Sequence, residues 1–131
     1  GMDLMGMSDK RVVIVFDFQH PVEKYLFYTP DLPKVEGKYR FFEAGNHFSD
    51  NLVVRYCKPD EVDEHLPLFT KYLQYYKNML DEHQPTGTDT SQYIDFDKYM
   101  IRLDPISGYL SSRFGKEQSH NLIKEFFFSY A

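Results

Sequence analysis

A chain of 131 residues with 42% hydrophobic content has the length and composition of one ordinary globular domain. Its formal net charge of -5, with no basic run, argues against a nucleic-acid partner, because neutralising phosphates takes a concentrated cationic face. A single cysteine, Cys57, excludes an internal disulfide and a thiolate metal cluster, and no apolar run approaches the roughly 18 residues of a membrane span, so a cytoplasmic protein is expected.

Gly1 ahead of Met2 reads as an expression scar. Residues 11–18 (RVVIVFDF) form a near-continuous β-branched and aromatic run, the pattern of a central strand covered on both faces. Residues 25–28 can add a short strand, and 29–37, with two prolines and a glycine, read as a loop. Two further strands are expected at 38–43 and 51–56 around a turn at 44–50, giving an antiparallel meander. From Pro59 the period changes: Val62, Leu66, Phe69, Leu73, Tyr76 and Leu80 recur at three- and four-residue steps, which predicts an amphipathic helix with Pro59, Asp60 and Glu61 in its first turn. Pro85 and Gly87 break the pattern, and Thr90 or Ser91 suits the cap of a helix running to about Leu103. Asp104-Pro105 opens a further short helix ending at Gly115, and the last helix covers 116 to about 128 with Leu122, Ile123, Phe126 and Phe127 on its buried side.

Strands first and then three helices, besides the short one, predict an α+β fold with helices flanking an antiparallel sheet. The strand at 11–18 wants a neighbour on each side. With few strands before it, a sheet edge is left open, through which a second copy can pair as a homodimer. The 12 Phe and 11 Tyr are more than a plain core requires and can wall a pocket for a flat conjugated ligand, although core is the commoner use. Lys10, Arg11, Lys24, Lys34, Lys38, Arg40, Arg55 and Lys58 gather in the first half, as a patch for an acidic partner or as an ordinary mixed surface.

Three segments, taken together and in order, carry a resemblance. They are GMDLMGMSDKRVVIVFDFQHP (residues 1–21), HFSDNLVVR (47–55) and YMIRLDPISGYLSSRFGKEQSHNLIKEFFFS (99–129). They resemble the ferredoxin-dependent bilin reductases: a strand pair with an Asp-bearing first strand and a following DFQP-like motif, an F-S-x-x-L-x-x-R segment, and a closing stretch with Asp-Pro, Phe-Gly and an aromatic finish. The first and third segments are most similar to the viral, cyanophage-type branch that makes phycoerythrobilin. The resemblance implies an α/β/α sandwich of which this chain is the C-terminal half, with the upstream part of sheet and pocket missing. It also implies reduction of biliverdin IXα to phycoerythrobilin in a cyanobacterial or phage-infected host cytosol. No cofactor is bound: reduced ferredoxin supplies electrons one at a time, and protein carboxyls protonate the radical intermediates.

On this resemblance two aspartates are the proton donors. Asp3 falls in the middle of a central strand facing the bilin, against the plainer reading of a frayed, solvated acid near a chain end. Asp104 falls on a loop at the other bilin face, against the plainer reading of a helix cap before Pro105; both roles can coexist. Arg55, closing the F-S-x-x-L-x-x-R segment, suits a bilin propionate through paired hydrogen bonds, or is a strand-end cation. Ser49 can donate to the same carboxylate or form a turn with Asp50. Many relatives carry a basic residue just after Asp-Pro; Ile106 and Ser107 stand there, and Arg102 or Arg113 can substitute. Phe16, Phe18, Phe41, Phe48 and Phe114 are wall candidates or core. His20 and His47 have no partner at metal-ligand spacing and read as structural or surface residues. Two readings from other classes stand beside the enzyme: a non-catalytic, dimerising module, and a bilin carrier or lyase without redox chemistry.

Overall fold

The computed structural model describes residues 1–19, 28–45, 47–82 and 91–131. His20, Thr90, the 84–89 break and all of the expected short strand except Tyr28 lie outside these residues. The chain divides into two units, Gly1–Thr86 and Gly87–Ala131.

In the first unit the apolar run becomes the middle strand of a three-stranded antiparallel sheet of β1 (Met2–Ser8), β2 (Arg11–Phe16) and β3 (Val53–Cys57), in that order. Val12 through Phe18 are all buried, as a run without alternation requires of a strand covered on both faces. Side chains alternate along a strand, so the register sorts residues onto two faces. Met2, Phe16 and Val53 share one face with Leu4, Ile14 and Arg55 and with Val12 and Cys57. The other carries Asp3, Val15 and Val54, then Met5, Val13 and Tyr56. Asp3 therefore stands on an edge strand of the described sheet and is exposed; the expected strand forms, but not at the sheet's centre.

The first face is roofed by a 3-10 turn (Pro59–His65) continuing into α1 (Leu66–Glu82). Phe69 stacks on Phe16 at 5.5 Å and Tyr72 on Phe18 at 5.0 Å. Val12, Ile14, Phe16, Val53, Leu32 and Tyr72 form the core, with Cys57 packed against it as a small apolar group. Full burial of each such aliphatic or aromatic side chain is worth about 1.5–3 kcal/mol. The stripe predicted for this helix is corrected: Val62 and Phe69 do face the core, but Leu66, Leu73, Tyr76 and Leu80 are exposed, and Leu68, Tyr72, Tyr75 and Met79 take the inner side. Two overlapping stripes satisfy the same spacing, and stacking on Phe16 and Phe18 selects the aromatic one.

The strand expected at 38–43 does not form. Arg40 takes the left-handed region at φ 51, and the Phe42 N–H closes a turn on the Tyr39 carbonyl at 3.0 Å. Its aromatic rings stack on one another, Phe41 on Phe42 at 4.7 Å, rather than alternating across a sheet. This segment crosses the second sheet face. The Tyr39 hydroxyl reaches Met7 Sδ at 3.6 Å, the Tyr56 hydroxyl donates to the Lys38 carbonyl at 2.6 Å, and Ser49 is tied to Asp17. Gly37 makes the approach possible: at φ 77, a Cβ there would lie 2.1 Å from the Val54 carbonyl oxygen. Glu36 then pairs in parallel with the outer edge of β3, its carbonyl accepting the Val54 N–H at 2.6 Å.

The second unit holds α2 (Gln92–Leu103), α3 (Ile106–Phe114) and α4 (Lys116–Leu122). Gly115 at φ 80 separates the last two, a positive-φ junction that glycine adopts without the strain a Cβ would bring. The last helix does not run on as α-helix to 128: residues Ile123–Phe127 widen into a π-turn closed by the Phe128 N–H on the Ile123 carbonyl at 2.8 Å. The extra residue in that turn rotates the face, so Ile123 and Phe128 are buried while Phe126 and Phe127, expected inside, are exposed. No described helix is long and apolar enough to cross a membrane.

Candidate functional site

The chemistry-bearing groups of the first unit converge where β2 runs out. Asp17 follows Phe16 on the second sheet face, only 3% exposed. Its carboxylate accepts the Ser49 hydroxyl at 2.6 Å and the Ser49 N–H at 3.1 and 3.2 Å. Burial pushes the Asp17 carboxyl up to about 6, against the opposing pull of the two Ser49 donors and the Gly1 ammonium. The Ser49 Oγ in turn accepts the Asn51 N–H at 3.0 Å.

Asn51 extends this cluster inward. Its side chain accepts the Thr29 hydroxyl at 2.7 Å and donates to the Pro33 carbonyl at 3.0 Å, and its own carbonyl accepts the Tyr72 hydroxyl. Thr29, Asn51 and Asp17 are all buried, and each is hydrogen-bonded, as burial demands. Burial first, then the nearby Asp17 and Glu36 charges, hold the Tyr72 hydroxyl well above the usual tyrosine range, so it stays a neutral donor.

Asp3 shares the face of Asp17. It pairs with Val15, two residues short of Asp17, so the two carboxyls are diagonal neighbours, a relation that sets residues about 7–8 Å apart. Both act on the Gly1 ammonium, whose own pKa burial depresses. Phe48, beside Ser49, is 2% exposed and packs on Phe42 at 5.3 Å; it is a core residue whose position fixes the turn.

Arg55 stands on the opposite face. Its Nε meets Glu36 Oε1 at 2.6 Å and its Nη2 meets Oε2 at 3.2 Å, a two-pronged pair that lowers the Glu36 carboxyl and raises the guanidinium. Other members of the basic cluster are also engaged, Lys38 with Glu43 at 3.9 Å and Lys58 with Glu61 at 3.4 Å. Arg11 lies over the Tyr56 ring at 4.4 Å.

In the second unit the half-buried Asp104 accepts the Ile106 N–H at 2.8 Å, capping α3, while its own N–H closes α2 on the Met100 carbonyl at 2.8 Å. Arg102 is exposed over the Tyr99 ring at 5.9 Å, and Arg113 lies over Tyr109 at 5.1 Å. Phe114, a wall candidate, is half exposed.

Of the expected site residues, then, Asp3, Phe48 and Ser49 gather on one side of the sheet, Arg55 lies on the other, and Arg102 and Asp104 belong to the second unit. Sequence reasoning missed Asp17, Glu36, Asn51 and Tyr72. Asp17 did leave a signal, a lone acid inside an otherwise apolar run.

No family model matches the chain. It is similar to proteins named 15,16-dihydrobiliverdin:ferredoxin oxidoreductase. The protein from Gloeobacter violaceus is 29% identical, with 100% of this chain and 62% of the relative aligned. That from Nostoc punctiforme is 28% identical over the same shares, and one from Prochlorococcus marinus is 30% identical over 100% of this chain and 63% of its own length. The chain thus spans a little over three fifths of the length of these relatives.

Proposed function

We propose that this chain binds a linear tetrapyrrole and serves its ferredoxin-dependent reduction, with biliverdin IXα as substrate and phycoerythrobilin as product. The observation that carries the reading is similarity along the whole chain to relatives named for ferredoxin-dependent oxidoreduction of a dihydrobiliverdin.

Electrons that arrive singly leave a bilin radical that must take up protons, so the chemistry calls for carboxyls that hold a proton near neutral pH. Asp3 and Asp104 are the donors in this proposal. Asp17, on the same face as Asp3, is a buried carboxyl raised to about 6, whereas Asp3 itself is exposed and would need the bound bilin to cover it. Ser49 is assigned to a bilin propionate, and Arg102, exposed at the end of α2, is the propionate candidate of the second unit. Arg55 commits its Nε and one Nη2 donor to Glu36, and its place opposite Asp3 favours a role in the fold.

The test is to add photoreduced ferredoxin to the chain loaded with biliverdin and separate the products. Conversion to phycoerythrobilin, lost in Asp3→Asn and Asp104→Asn, is the expected result. Biliverdin recovered unchanged from a chain that binds it would overturn the redox reading and leave a carrier.

A further inference from the structure

A hydroxyl has one proton to give. In Ser49 that proton goes to Asp17 Oδ1 at 2.6 Å, a length typical of a bond to a charged oxygen. The Ser49 N–H is spent on the same carboxylate, and the Ser49 Oγ already accepts the Asn51 N–H. A ligand carboxylate approaching half-buried Ser49 therefore meets an oxygen lone pair, with a buried anion behind it. It finds no donor in this arrangement.

We propose that Asp17 gates carboxylate binding at Ser49: the hydroxyl donates to an anionic ligand only when Asp17 carries a proton, so that binding one propionate takes up one proton. Protonated Asp17 becomes the donor to Ser49 Oγ, and the Ser49 proton turns outward to the ligand. The balance is one ligand carboxylate and one proton from solvent in, with no bond between heavy atoms made or broken. The inference rests on the assignment of Ser49 to a propionate made above.

The groups around Asp17 allow this. From β1 it faces the Gly1 ammonium and, diagonally, Asp3. Tyr72 of α1, across the sheet, feels the Asp17 charge and stays neutral. In the turn itself His47 and Asp50 flank Ser49 and its neighbour in sequence. Burial already holds the Asp17 carboxyl at about 6, so the proton needed near neutral pH is within reach. A second carboxylate brought to Ser49 favours that proton further, since two carboxylates bridged by one hydroxyl repel unless one is neutral.

Biliverdin affinity of the 131-residue chain, measured between pH 6.5 and 8, tests it. The expected Kd rises about tenfold per pH unit, the slope for uptake of one proton. Biliverdin dimethyl ester, which has no carboxylate, should show a flat profile. Asp17→Asn presents an amide donor to Ser49 at every pH, and its profile should also be flat. Should that variant fail to fold, calorimetry of the unaltered chain in two buffers of different ionisation enthalpy counts the protons directly, with about one per bilin expected at pH 7.5. A level Kd, zero proton uptake, a sloping ester profile, or a slope retained in Asp17→Asn would each overturn the gate. Binding without a slope rejects this inference alone, whereas no binding at any pH rejects the proposed function with it.

Discussion

Asp3 and Arg55 stand on opposite faces of one three-stranded sheet: Asp3 pairs with Val15, which pairs with Val54, while Arg55 pairs with Ile14. A flat ligand lying against the Asp3 face does not meet the Arg55 guanidinium, which instead grips Glu36 on the other face. Replacing Arg55 by Met is therefore expected to leave biliverdin affinity within about threefold, less than 1 kcal/mol. It should cost about 1 kcal/mol or less of stability, since the pair is partly solvated. Titration and urea unfolding of the same variant check both. A loss of binding above tenfold would return Arg55 to the ligand site.

Asp17 makes stability depend on pH in a direction unusual for a carboxylate. Burial raises it from 3.8 to about 6, so the native state keeps its proton after the unfolded chain has lost it. Stability from this group is present below about pH 4, falls as pH rises to about 6, and is level above. At roughly 1.4 kcal/mol per unit, the unaltered chain should lose on the order of 3 kcal/mol relative to Asp17→Asn over that window. Denaturant unfolding of both proteins at pH 4.5 and 7 captures about 2 kcal/mol of it; a gap that does not change with pH would contradict it.

The Tyr72 hydroxyl is the donor to the buried Asn51 carbonyl. Tyr72→Phe keeps the stacking on Phe16 and Phe18 and removes only that donor, at an expected cost of about 1–2 kcal/mol. Asn51→Ala keeps that backbone carbonyl but strands two groups, the Thr29 hydroxyl and the Pro33 carbonyl, and should cost more, about 3 kcal/mol. Equal effects of the two in thermal unfolding would show that the network does not act as drawn.

Asp104 carries two assignments that a pair of substitutions separates. Asn also caps helices, so Asp104→Asn should keep stability within about 0.5 kcal/mol, while Asp104→Ala loses the bond to Ile106 N–H and about 1 kcal/mol. A proton donor cannot be replaced by Asn. Bilin turnover is expected to fall at least about a hundredfold in both, whatever their stabilities, because that is the usual worth of an acid catalyst. Turnover retained in Asp104→Asn would reduce Asp104 to a cap.

What the sequence disclosed and what it hid have physical reasons. Residues 11–16 could be read as a central strand because nothing but two-sided burial explains five consecutive apolar residues, Val12 to Phe16. The helices from Pro59 onward were legible from period and from the Pro105 and Gly115 stops. The inner face of α1 was not, because Leu66, Phe69, Leu73, Tyr76 and Leu80 step by threes and fours just as Leu68, Tyr72, Tyr75 and Met79 do, and only the partner rings Phe16 and Phe18 choose between them. Residues 38–43 look like a strand by composition, yet Gly37 and the turn at Arg40 fold their rings into a stack. The tie between Asp17 and Ser49 spans 32 positions and depends on strand register, so local pattern could not reveal it. Single residues of the site were visible; their division between two sheet faces was not.

The most direct test of the whole account is an absorbance titration of the 131-residue chain with biliverdin at pH 6, where Asp17 is half protonated. The account predicts a saturable spectral change with one bilin per chain, weakened in Ser49→Ala. A folded chain that leaves the biliverdin spectrum unchanged would contradict it.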